Sequence, residues 1–138
     1  MNSYFKTKSI PNVNSLDDIL QNKDLSISSR PFIYDIMRNH DLIDESSIIT
    51  LKTRSEDYMK QLDTKSANPL RLFDKLIFND MINGKAVIIT FSMGRQLIEI
   101  LYRKHINKYK TSETKYLHNY VIHLLQKRSP FANKFKFW

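Results

Sequence analysis

Between residues 29 and 82, apolar side chains recur three and four positions apart in three successive segments, the spacing of helices with one buried face. In SSRPFIYDIMRNHDLIDESS, Ser29 is placed to cap, Pro31 suits a first turn, and Phe32, Ile33, Ile36 and Met37 share a face. DESSIITLKTRSEDYMKQLDT carries a stripe of Ile48, Leu51, Tyr58, Met59 and Leu62. After the break KSANP, LRLFDKLIFNDMI repeats the pattern with Leu72, Phe73, Leu76, Ile77 and Phe78. Residues 1–27 are polar and irregular except for NSLDDIL, where Ser15 can cap a short helix and Asp17 and Asp18 favour its first turn. They read as an N-terminal extension to a domain spanning 28–138.

INGKAVIITFSMGR, Ile82 to Arg95, holds both glycines of the chain and its longest uncharged apolar run. Its β-branched residues favour a strand, yet the apolar character continues past Gly94 into QLIEILY. From Ala86 to Tyr102 only Arg95 and Glu99 are charged, as in a helix enclosed on nearly every side. The last unit, SETKYLHNYVIHLLQK, opens on Ser112 and sets Leu117, Tyr120, Val121, Leu124 and Leu125 on one helical face; Pro130 then begins the tail PFANKFKFW. No segment alternates with period two, and a strand without a partner leaves its backbone unsatisfied. The pattern therefore predicts an all-α bundle around a central hydrophobic helix.

Composition narrows this picture. With 138 residues, 41% hydrophobic and 12% aromatic, the chain suffices for one core and is not of the disordered class. A net charge of +8, from 22 Lys and Arg against 14 Asp and Glu, raises nucleic acid as a partner; the basic residues are spread along the chain, so a solvated basic surface is preferred and no nucleic acid is expected. Without cysteine there is no disulfide, thiolate nucleophile or thiolate ligand, and a reducing intracellular location is expected. No stretch has signal-peptide character or the roughly 20 uncharged residues of a membrane-spanning helix.

Chemistry-bearing patterns are sparse. His40, His105, His118 and His123 include no i, i+4 pair, so no metal site is expected. The acidic doublets at 17–18, 44–45 and 56–57 point to different sides of a helix, and two glycines do not make a phosphate loop. No enzyme and no cofactor are expected.

Set in order, these segments resemble a Bcl-2-family domain. Ile82, Asn83, Phe91, Ser92 and Gly94 match the first homology motif, with Gly84 and Lys85 standing where its Gly-Arg follows a tryptophan. Ser28, Arg30, Asp35, Ile36 and Met37 are similar to the fourth motif, and Leu51, Ser55 and Glu56, followed by Tyr58, to the third (BH-3), although Arg54 replaces an apolar residue. HNYVIHLLQKRSPFANKFKFW looks like the helix entering the second motif. The resemblance covers about residues 28–138. The short connections, the lack of an anchor and the Ile-, Asn- and Lys-rich composition look most like the trimmed homologues of large DNA viruses.

That resemblance implies binding: an anti-apoptotic protein whose hydrophobic groove takes the BH-3 helix of Bim-like or Bak- and Bax-like host proteins, in the host cytoplasm or peripherally at mitochondria. Tyr58, Leu62, Phe73, Leu76, Ile77, Ile88 and Phe91 would form the floor and walls. Asn83 would cap the central helix, Gly84 would admit the ligand backbone, and Lys85 would pair with the ligand aspartate. A lysine in place of arginine offers a point charge instead of a bidentate fork, which predicts weaker or narrower ligand binding. An apolar groove also leaves a homodimer open. Two alternatives stand beside it: the same fold acting on innate-signalling adaptors, and a basic helical nucleic-acid-binding module.

Overall fold

The computed structural model describes residues 13–63, 75–112 and 122–128. Along the chain run α1 (Leu16–Gln21), β1 (Ser26–Ser28), α2 (Phe32–Asn39), α3 (Glu45–Asp63), α4 (Lys75–Ile82), β2 (Ala86–Phe91), α5 (Ser92–Leu101), a 3-10 helix (Arg103–Lys108), β3 (Tyr109–Thr111) and β4 (Ile122–Lys127). The four strands form one mixed sheet in the order β1-β2-β4-β3. The expected all-α bundle is thus overturned: the protein is mixed α/β.

The correction centres on AVIITF. Instead of opening one helix over Ala86–Tyr102, it is β2, parallel to β1 through Ile27↔Val87 and antiparallel to β4 through Ile89↔Leu124. Both partners are hard to read from sequence. β1 is three residues, two of them serine. β4 is IHLLQK, buried from Ile122 to Gln126, so its apolar residues do not alternate with polar ones and adjacent leucines mimic a helical face. The predicted helix over 112–127 is a strand from Ile122 onward; residues 113–121, with Leu117, Tyr120 and Val121, lie outside the described residues. Ser112, expected to open that helix, accepts a hydrogen bond from the Leu124 N–H at 3.3 Å.

Helices cover both faces of the sheet because β2 is apolar on both. Val87 and Ile89 join Ile122, Leu124 and Ile27 in one core, closed by Leu16 and Ile19 of α1, Ile33, Tyr34 and Met37 of α2, and Ile48 and Leu51 of α3. Ala86 and Ile88 join Leu125 and Tyr109 in the other, closed by Tyr58 and Leu62 of α3, Ile77, Phe78 and Met81 of α4, and Ile98 of α5. The predicted stripe on α3 is therefore real, and over 19 residues its first half packs on one core and its second half on the other.

One expected cap holds and others move. Ser15 opens α1 in a capping box with Asp18, as its sequence suggests. Ser29 does not cap α2; it is buried, bonded to the Tyr34 hydroxyl at 2.5 Å and the Ser55 hydroxyl at 3.1 Å. Arg54, the departure from the BH-3 pattern, donates to the Ile19, Asn22 and Leu25 carbonyls and so ties α3 to the turn joining α1 to β1.

Candidate functional site

The residues expected to line a ligand groove are dispersed by this fold. Tyr58, Leu62, Ile77 and Ile88 are core residues of the second cluster, and the Tyr58 hydroxyl donates to Asp80 at 2.6 Å. Leu76 points outward on α4, and Phe91 at the end of β2 stacks on Phe32 at a centroid distance of 5.5 Å. Phe73 lies outside the described residues. Asn83 and Lys85 are exposed and flank Gly84 in the turn between α4 and β2. The structure brings Tyr58, Leu62, Ile77 and Ile88 together as packing and sets Asn83, Gly84 and Lys85 together as a turn, with Leu76 and Phe91 apart from both.

That turn has a local cause. The Gly84 N–H donates to the Met81 carbonyl at 3.0 Å and the Lys85 N–H to the Asp80 carbonyl at 2.8 Å, the paired bonds of a Schellman ending, with Gly84 at φ 77°. The Lys85 carbonyl then accepts from Ser26 at 2.9 Å, which starts the β1–β2 pairing. Gly84 thus ends a helix, and the stretch after it is a strand, so Asn83 caps no central helix.

Among the described residues, the surface that departs most from a solvated exterior is on α5. Gly94 and Ile98 are buried against the sheet, yet Met93 is 82% exposed, Leu97 39%, Ile100 64% and Leu101 53%, with Ile106 of the 3-10 helix at 45%. At 3.6 residues per turn, Met93, Leu97, Ile100 and Leu101 fall within an arc of about 100°. The apolar side of α5 is therefore wider than the part that the sheet covers. The sequence pattern shows that width, and the expectation of a central helix assigned all of it to the interior.

Charge is arranged about the same surface. Arg95 and Glu99 pair one turn apart at 2.8 Å, and Arg103, Lys104 and Lys108 stand exposed just beyond the apolar stripe. This follows an asymmetry in the chain: residues 81–138 hold 11 Lys and Arg against two acids, Glu99 and Glu113, while residues 1–80 hold 11 against 12. The cations are evenly spread, but only two acids follow Asp80, so the basic excess belongs to the part of the chain that contains β2, α5, β3 and β4. Behind the stripe, Phe78 stacks on Tyr102 at 3.9 Å and meets Tyr109 edge-on at 5.7 Å. Burial, with the Glu99 carboxylate nearby, holds the Tyr109 hydroxyl above its ordinary pKa, so it stays neutral.

Among the described residues no group of three or more His, Asp or Glu could hold a metal ion, and no helix is long and apolar enough to cross a membrane. No protein-family model matches the chain, and neither a curated protein nor a solved structure is significantly similar to it.

Proposed function

We propose that the protein is a peripheral membrane-binding module that docks on an anionic lipid surface through α5. The observation that carries the reading is the open stripe of Met93, Leu97, Ile100 and Leu101 ending in the exposed cations Arg103, Lys104 and Lys108. A convex apolar ridge with a basic border suits the boundary between acyl chains and headgroups: the ridge is removed from water while the cations stay with the phosphates. A nucleic-acid surface matches the cations but offers nothing to four exposed aliphatic side chains. A helical ligand of the BH-3 kind needs a concave apolar floor, and Tyr58, Leu62, Ile77 and Ile88, expected to supply part of it, are packed in the core. The reading keeps the expected peripheral placement at a membrane and gives it a different surface.

Vesicle co-sedimentation tests it. The full chain should pellet with vesicles of mixed phosphatidylserine and phosphatidylcholine and stay in the supernatant with phosphatidylcholine alone. Three cations at about 1 kcal/mol each correspond to a partition difference on the order of 100-fold, lost as salt is raised. The double variant Leu97→Asp, Ile100→Asp should lose binding while keeping the circular dichroism of the native protein. Equal partition onto both vesicle types, or calorimetric binding of a synthetic BH-3 peptide or of generic duplex DNA without vesicle binding, would overturn the reading.

A further inference from the structure

The join between β2 and α5 places a serine and a histidine together from 31 residues apart. Ser92 is the first residue of α5, directly after the last residue of β2, and its Oγ lies 3.0 Å from Nε2 of His123 on β4. The register that makes this contact is fixed by the sheet: Thr90 pairs with His123 and Phe91 with Ile122, so His123 projects on the face that α5 covers. His123 is 7% exposed, whereas Ser92 is half-buried and adjoins the exposed Met93. A hydroxyl within hydrogen-bond reach of an imidazole nitrogen, the serine half-buried and the imidazole enclosed, is the arrangement of an activated nucleophile.

A second feature of the same turn completes it. Ser92, Met93 and Gly94 occupy the first turn of a ten-residue helix, where backbone N–H groups have no carbonyl of their own helix to donate to. Those of Met93 and Gly94 follow the serine directly and lie at the positive end of the helix dipole, suited to an oxygen that gains negative charge when Ser92 attacks. Gly94 lets the helix start this close to the strand: a Cβ there would fall 2.0 Å from Thr90 Oγ1.

We infer that Ser92 is a nucleophile and His123 its general base, forming a site for activated acyl or phosphoryl esters. With a carboxylic ester, Ser92 Oγ bonds to the carbonyl carbon and passes its proton to His123 Nε2. Collapse of the tetrahedral adduct breaks the bond to the leaving oxygen, which takes that proton. Water, deprotonated by His123 in turn, then releases the acid and restores Ser92. With an alkyl fluorophosphonate, the Oγ–phosphorus bond forms, the phosphorus–fluorine bond breaks, and fluoride leaves. The site stands independently of lipid docking, since it needs no membrane to react.

The experiment is intact-mass analysis of the full chain, free of lipid, after incubation with an alkyl fluorophosphonate, followed by peptide mapping. One adduct on Ser92 is expected, absent from Ser92→Ala and slowed on the order of 10²-fold or more in His123→Asn. Urea-unfolded wild type should not react, which tests the folded geometry even where a variant folds poorly. An unmodified Ser92 in the folded protein, labelling spread equally over other serines, or equal labelling of folded and unfolded chain would overturn the inference.

Discussion

At the scale of single residues, the polar groups buried between α2 and α3 hold the structure together. Tyr34 is 1% exposed and its hydroxyl meets the hydroxyl of Ser29 and, at 3.4 Å, the Leu51 carbonyl, so one phenol links α2, the end of β1 and α3. Tyr34→Phe should cost about 1 kcal/mol at neutral pH, the net worth of a buried hydrogen bond, because Ser29 and Ser55 still pair with each other. Burial raises the Tyr34 pKa above its ordinary 10.0, with the hydroxyls of Ser29 and Ser55 opposing in part. A pKa raised in the folded state contributes stability that is complete below the unfolded value and lost as pH climbs from there through the folded one. The stability difference between wild type and Tyr34→Phe should therefore shrink as pH rises past 10, which urea titrations from pH 8 to 11 will measure. At this scale the sequence was partly legible. Ser15 announces its cap through the Asp three positions on, whereas Ser29 reads equally well as a cap and becomes a buried partner only once Tyr34 and Ser55 are brought to it.

At the scale of elements, β2 and α5 divide a segment that reads as one. Residues 86–91 are β-branched and apolar with Gly84 ahead of them, which is strand chemistry, and residues 92–101 have helical spacing. The change of period falls between Phe91 and Ser92 without a turn residue to mark it. Local preference holds here even though the sequence shows no partner strand, because β1 is too short and β4 too uniformly buried to alternate. The tight passage from β2 to α5 makes Gly94 its most constrained residue. Gly94→Ala should gain about 1 kcal/mol of helix propensity and still destabilise by roughly 1–3 kcal/mol, because the new methyl meets Thr90 Oγ1 at 2.0 Å and Cβ at 3.1 Å. Adding Thr90→Ala removes the hydroxyl in the way. A double-mutant cycle in urea should then show the two substitutions coupled by at least about 0.5 kcal/mol, whereas additive effects would place the strain elsewhere.

At the scale of the whole molecule, the sheet makes one body of parts that the sequence presents separately. The amphipathic helices were readable as buried faces but not as two layers, because the surface between them is a sheet whose strands come from residues 26–28, 86–91, 109–111 and 122–127. Residues 13–27, polar on average, supply Val13, Leu16, Ile19, Leu25 and Ile27 to the first core, each at most 6% exposed. Arg54 fastens the turn within that segment to α3, and Gln126 of β4 accepts from the Val13 N–H, so the segment is held at both ends. Burying five aliphatic side chains at about 1.5–3 kcal/mol each stabilises the fold by on the order of 10 kcal/mol. That equals the entire net stability expected of a domain this size, about 5–15 kcal/mol. Removing residues 1–27 should therefore abolish cooperative unfolding instead of yielding a smaller folded domain. The 28–138 fragment should show no sigmoidal thermal transition by circular dichroism, and its amide protons should exchange without the slow set that β2, with neighbours on both sides, gives in the full chain. A fragment that melts cooperatively would mean that β2 can stand as an edge strand beside β4 alone.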